Sequence, residues 1–302
     1  MQRLKDATKR TFPTAYSRYV RWRLGSRSMA ERLAPILEES QTPESYDSEF
    51  ETLQNSYSKW WDDYGFDGYS TWARGCERAT RLLEVPTLRR PNLDVFETGC
   101  GDGMTAHVLE SYGHQVTLND AADWRDDRAR TLPFVQGDIC GRLPLKNESF
   151  DLLISYNAFE HIEDPRSGLA ELVRLCKTDG HIYIEFNPLY CSALGLHAFS
   201  FFMPYPQFLF SPSLIDSKIR ELGANDLGQN LPYLQPTNKR RLAEFRELWH
   251  SSGCTIVSLV EEVDPRHLGI VLKYPGAFSG RNLTVEDLSV SAVKVLLKKA
   301  QK

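Results

Sequence analysis

Residues 93–103, LDVFETGCGDG, decide how this chain is read. Leu93 to Phe96 is a short apolar run suited to a buried strand, and Glu97 closes it. Gly99, Gly101 and Gly103 follow at every second position, and Met104 to Tyr112 reads as a helix. A strand, a glycine turn and a helix bring backbone N–H groups and a helix N-terminus beside a ligand. A Cβ in such a turn blocks the close approach or forbids positive φ. The spacing also excludes one ligand class. A dinucleotide site needs G-x-G-x-x-G, and Met104 stands where its third glycine would fall.

Working outward, His114 to Asn119 alternates like a second strand and Asp120 closes it. A carboxylate there accepts both hydroxyls of a ribose, which a neutral side chain does poorly. Leu132 to Val135 reads as a third strand, followed by Gln136-Gly137-Asp138-Ile139. Phe150 to Ser155 is a fourth strand, running into Tyr156-Asn157-Ala158-Phe159-Glu160-His161-Ile162-Glu163-Asp164-Pro165. Lys177-Thr178-Asp179-Gly180 turns into a fifth, HIYIEF.

An acidic residue two before G-x-G-x-G resembles motif I of the class I S-adenosylmethionine (SAM)-dependent methyltransferases. The stretch Glu160 to Pro165 resembles the E-H-x-x-D-P loop of members that methylate small molecules. Lys177 to Gly180 is similar to the family's K-P-G-G turn, with Asp179 in place of the usual glycine. The resemblance covers residues 93–187. It implies an α/β fold with a Rossmann-like, doubly wound seven-stranded sheet whose last strand is antiparallel. It also implies SAM as cofactor, with Glu97, Gly99, Cys100, Gly101, Asp120, Asp138, Ile139 and Asn157 holding it. Asp138 would face the adenine amino group and Ile139 would pack on the ring. Gly103 would serve the turn more than a direct contact, and Cys100 is a small filler rather than a nucleophile.

At 302 residues the chain suits one large embellished domain. A net charge of −4 offers nothing to nucleic acid. The six cysteines show no C-x-x-C pair, which suits reduced thiols in a cytoplasmic protein rather than a disulfide framework or a zinc site. Residues 1–32 hold nine Lys/Arg against two Asp/Glu. Three readings stand: a basic arm folded back on the acidic 38–68 stretch, peripheral contact with an anionic membrane surface, or an organelle transit peptide.

The expected organisation is a basic N-terminal arm (1–40), a helical aromatic-rich lid (41–90), a SAM-binding core (91–187), an apolar aromatic flap inserted after strand five (188–238) and the C-terminal part of the core sheet (239–302). In the lid, Ser70 to Leu83 has helical periodicity, and Trp60, Trp61, Tyr64 and Tyr69 are expected either to pack on the sheet or to wall an acceptor pocket. From Asn187 to Ile215 there is no Asp, Glu, Lys or Arg. Four prolines in that stretch argue against a transmembrane helix and for a flap over the site mouth, or a surface that meets lipid or a partner. Lys239 to Ser252 reads as an amphipathic helix, CTIVSLV as strand six and Val290 to Leu297 as strand seven.

The expected reaction is O-methylation of a small molecule, glycan or glycolipid. A hydroxyl must lose its proton as the new bond forms, so a positioned base is needed. His161 is the candidate, just past strand four at the carboxyl edge of the sheet, with Glu160 and Glu185 as supporting carboxylates and His197 in the flap. Asp164 before Pro165 is expected to cap the next helix. No dedicated metal-ligand spacing is present; Asp138, Glu160, Glu185 and Asn187 are the carboxylates and amide a metal would have to use. The rivals are C-methylation of a quinone-like or lipid ring, esterification of a carboxylate, and a non-catalytic SAM-binding scaffold. Oligomeric state is not legible.

Overall fold

The computed structural model describes residues 26–62, 65–226 and 231–300. The basic arm up to residue 25, and Tyr64 in the lid, lie outside the described residues. Seven strands form one sheet: β1 (Asp94–Thr98), β2 (Gln115–Asp120), β3 (Phe134–Gln136), β4 (Phe150–Tyr156), β5 (Cys176–Phe186), β6 (Cys254–Val263) and β7 (Val290–Lys299). Their order is β3-β2-β1-β4-β5-β7-β6. The first five run parallel, and β7 pairs antiparallel with both β5 and β6.

β1 sits near the middle because it is apolar on both faces: Val95 and Phe96 are fully buried. The strand order reverses between β1 and β4, so β2 and β4 flank β1 and the carboxyl ends of these parallel strands open on a shared crevice. Asp179 has φ +63°, the left-handed conformation that explains why glycine is usual there in the resembled family. Asp164 caps the helix Pro165–Leu175 as expected, accepting from the Arg166 N–H at 3.1 Å and from the Ser167 hydroxyl at 2.5 Å, with Pro165 at its first position.

The lid helix Gly68–Leu83 starts at Asp67, whose side chain accepts from the Tyr69 and Ser70 N–H groups. It lies tight against the helix Met104–Ser111 that follows the glycine turn. A Cβ on Gly75 would stand 2.7 Å from the Met104 carbonyl oxygen. Two arginines fasten the lid to the sheet's carboxyl edge: Arg74 to Asp102 and Arg81 to Glu185, both at 2.8 Å.

Most of the uncharged 187–215 stretch is buried. Phe201, Met203, Tyr205 and Phe210 are buried, in one apolar core with Leu33 and Phe50 before the sheet and Phe278 between β6 and β7. Three distant segments therefore share a second core beside the sheet. The 264–285 connection contributes the short helices Gly269–Lys273 and Pro275–Phe278 to it. The absence of charge from residue 187 to 215 goes with a segment that gives most of its side chains to this core and the rest to the cavity wall. Phe278 is fully buried against Tyr205 and Phe208. Phe278→Ala is expected to cost about 3–5 kcal/mol, read as a lower midpoint in chemical denaturation; an unchanged midpoint would show that this core contributes nothing to global stability.

Candidate active site

The turn after β1 is built from three positive-φ glycines: Gly99 (+62°), Gly101 (+51°) and Gly103 (+71°). Their surroundings differ. A Cβ on Gly99 would collide with the Cβ of Ala158, in the loop after β4. A Cβ on Gly103 would press on Ala129, Leu118 and Arg125. A Cβ on Gly101 would meet no protein atom within 4 Å, so the backbone there faces open space. Glu97 is 2% exposed and lies beneath the turn, its Oε2 accepting the Ala106 N–H at 3.1 Å. Burial pushes its carboxyl up to about 8, against the pull of Arg78. Glu97 thus holds the start of the helix.

Asp120 ends β2 beside the turn. Its two oxygens accept N–H groups from Gly101 at 3.0 Å and Ala121 at 2.8 Å, which fix the carboxylate against the turn. Burial raises its pKa, and the N–H donors oppose that rise. Asp138 is exposed, with Oδ1 accepting the Cys140 N–H at 2.8 Å. Ile139 is 5% exposed and packs into the core near Gly168, which leaves little of it for a ring to rest on. Cys100 is a buried free thiol whose pKa desolvation raises, which suits a filler.

The loop after β4 joins this turn to a cavity of about 590 Å³. Ala158 packs on Gly99, while Asn157, Glu160 and His161 line the cavity with Asn187, His197 and the lid's Trp60 and Trp61. Asn157 adopts φ +48° and hands its N–H to the Glu185 carbonyl at 2.8 Å, which turns the chain out of β4. Asn238 braces the loop from outside, donating from Nδ2 to the carbonyls of Phe159 and Ile162 at 2.6 and 3.0 Å.

His161 Nδ1 lies 2.8 Å from the Pro236 carbonyl oxygen. A carbonyl only accepts, so Nδ1 carries the hydrogen and Nε2 is the lone-pair nitrogen. Burial lowers the His161 pKa, with the Pro236 hydrogen bond opposing. His197 packs edge-on against it with ring centres 5.0 Å apart and gives its Nε2–H to the Pro188 carbonyl at 3.0 Å. Burial brings His197 down to about 4, so both rings are neutral at pH 7. Glu160 is 3% exposed, its Oε2 has no hydrogen-bond partner, and burial raises its carboxyl to about 8.

Two expectations fail on geometry. Glu185 does not line the cavity: its carboxylate is held by Arg81 at 2.8 Å, Lys294 at 3.4 Å and the Tyr183 hydroxyl. The alternation of β5 turns it away from the cavity, so it cannot support a reaction there. Tyr69 is 81% exposed and walls nothing. Among the described residues no group of three or more His, Cys, Asp or Glu is gathered to hold a metal ion. No helix of the described residues is long and apolar enough to cross a membrane.

The sequence reading also missed residues. Arg78 of the lid helix lies with its guanidinium 4.7 Å from the Tyr156 ring centre and bears electrostatically on both Glu97 and Glu160. Its spacing of four from Arg74 and three from Arg81, on one helix face, was the available signal. Asp226, Asp264 and Arg266 line the cavity from segments far along the chain, and nothing local marked them.

The sheet order, with its antiparallel last strand, is that of a Rossmann-like fold of the methyltransferase type. Residues 96–184 match a family model described as a methyltransferase domain. That stretch, under a third of the chain, carries a methyltransferase domain of the SAM-dependent kind. It is 25% identical over 99 residues to a ubiquinone biosynthesis O-methyltransferase of Vibrio cholerae, covering 30% of this chain and 40% of that protein. It is 25% identical over 159 residues to the protein of that name from Pectobacterium atrosepticum, covering 49% and 64%. The chain thus spans less than two thirds of the length of these relatives. Similar solved structures include a SAM-dependent methyltransferase from Mesorhizobium loti, with TM-score 0.45 and 17% identity over 69% of this chain and 92% of that one. Another is phosphoethanolamine N-methyltransferase 2 of Haemonchus contortus in complex with SAM, with TM-score 0.46 and 15% identity over 76% and 53%.

Gly99 and Gly101 are separable by experiment. Alanine at either costs about 1–2 kcal/mol for its left-handed backbone, but only Gly99→Ala also collides with Ala158. Gly101→Ala is expected to stay folded and to lose SAM affinity by about tenfold or more in titration calorimetry. Unchanged affinity would contradict a cofactor lying over Gly101.

Proposed function

We propose that this protein transfers the methyl group of SAM to a hydroxyl of a small molecule, glycan or glycolipid. The observation that carries the reading is His161: a neutral imidazole with Nδ1 committed to Pro236, at the wall between the glycine turn and the cavity. When bound, SAM supplies a methyl carbon activated by a sulfonium. Gly101 would let the cofactor approach the backbone, Asp120 would accept its ribose hydroxyls, and Asp138 would meet the adenine edge. Asn157 would close the cofactor side of the cavity.

The chemistry left to the chain is alignment and proton removal. The acceptor oxygen bonds to carbon as the carbon–sulfur bond breaks, and the hydroxyl proton passes to Nε2 of His161. Trp60 and Trp61 exclude water. The similarity to ubiquinone biosynthesis O-methyltransferases favours oxygen as the methylated atom. The carboxylates around the cavity speak against a carboxylate acceptor, which like-charge repulsion would oppose.

Asp120→Ala is expected to abolish SAM binding by calorimetry; retained affinity would refute the cofactor assignment. His161→Ala is expected to lower kcat by about 10²–10⁴-fold with SAM affinity unchanged, and normal turnover would exclude it as the base. The pH profile follows from the sign of the shift. Because burial lowers the His161 pKa, the base is deprotonated at and above its ordinary value of about 6.5. Its limb in kcat/KM is therefore flat above that pH and falls only as pH drops through the lowered pKa. The stability linked to this neutral ring has the same sign: it is present above about 6.5 and declines as pH falls below it. A His161-dependent limb above pH 7 would contradict the assignment.

A further inference from the structure

Building on that proposed reaction, we propose that Glu160 selects the acceptor: as a neutral carboxylic acid it donates a hydrogen bond to a second oxygen of that molecule, a carbonyl, ether or hydroxyl, while the reacting hydroxyl is presented to His161. Glu160 and His161 are consecutive and both line the cavity, so one molecule seated there can meet both side chains. The place of Glu160 is fixed from behind. Asn238 gives its backbone N–H to the Glu160 carbonyl at 2.8 Å and its Nδ2 to the carbonyls of Phe159 and Ile162. A side chain anchored this way at a cavity wall is set in advance for a ligand.

The surroundings of Glu160 favour its acid form. The residue is 3% exposed and its Oε2 has no hydrogen-bond partner. A buried carboxylate lacking such a partner is far costlier than a buried acid. The groups that face it act in both directions. Burial raises its pKa most, its own backbone N–H and Arg78 of the lid helix lower it, and Asp226 of the inserted segment adds to the rise, which leaves the carboxyl at about 8. His161 and His197 add no charge, since burial lowers the pKa of both. An ionised carboxyl only accepts hydrogen bonds, whereas the acid also donates one. A site built to hydrogen-bond an oxygen of its substrate rejects the analogue that lacks it, because the buried polar group is then left unpaired. Trp61 and Phe199 line the same space and give the rest of the acceptor an apolar wall.

The test uses the full chain saturated with S-adenosylhomocysteine. Infrared difference spectra between the wild type and Glu160→Gln at neutral pH are expected to show the carbonyl stretch of one protonated carboxylic acid, lost in the variant. Acceptor binding is read by calorimetry with two probe sets that differ by one oxygen: phenol against the three dihydroxybenzenes, and cyclohexanol against the cyclohexanediols. In at least one set a second oxygen is expected to tighten binding by about tenfold or more. Glu160→Gln, whose amide still donates, is expected to keep most of that gain, and Glu160→Leu to lose it. The gain needs the proton, so with the diols, which do not titrate, it is full below about pH 8 and declines as pH rises past that value. Glu160→Gln is expected to remove this alkaline decline and His161→Ala to leave it. If Glu160→Leu does not fold, the infrared band and the alkaline decline decide. An absent acid band, no gain from a second oxygen in either set (no binding by any probe included), a gain kept by Glu160→Leu, or a gain lost in folded Glu160→Gln would overturn the proposal. Failure to bind S-adenosylhomocysteine, or normal turnover of His161→Ala, is scored separately, since either strikes the proposed reaction itself.

Discussion

The contact on which the rest depends is the approach of Ala158 to Gly99. The turn after β1 and the loop after β4 touch at a point where no side chain fits on the glycine. That closeness follows from the sheet, because β1 and β4 are parallel neighbours with Glu97 opposite Ile154 and Thr98 opposite Ser155. The two loops leave adjacent strands at the same level. One provides open backbone at Gly101, and the other carries Asn157, Glu160 and His161 to the cavity. The open backbone at Gly101 and the cavity are thus one loop apart, as the proposed direct transfer between two bound molecules would require.

Around this junction the chain builds a second core from three distant segments. The helix before the sheet, the inserted segment after β5 and the short helices before β7 bury their apolar side chains together. This lobe brings Phe199 and Asp226 to the cavity, and the lid brings Trp60 and Trp61. Trp60 donates from Nε1 to the Phe202 carbonyl at 3.0 Å, which ties lid to insertion. Under the proposed function, acceptor choice would vary with these segments while the sheet and its turn stay the same.

The strands were legible because their cues are local. Val95–Phe96 and Leu152–Ile154 are apolar runs, and the glycines at 99, 101 and 103 each need positive φ. His161 and Glu160 were legible because they fall directly after a strand at the sheet's carboxyl edge. What escaped was set by tertiary partners. Glu185 is turned to Arg81 and Lys294 by the alternation of β5, and only the packing of the lid helix reveals those partners. The uncharged 187–215 run has the same composition whether it is a flap, an interface or a core; Leu33, Phe50 and Phe278 decide it, from far away in the chain. Asp226 and Arg266 carry no local signature at all.

The most direct test is a crystal structure with S-adenosylhomocysteine bound. The account predicts the ligand over Gly101, its ribose on Asp120, and its sulfur turned toward the cavity between Glu160 and His161. A ligand bound elsewhere, or a sulfur turned away from that cavity, would contradict it.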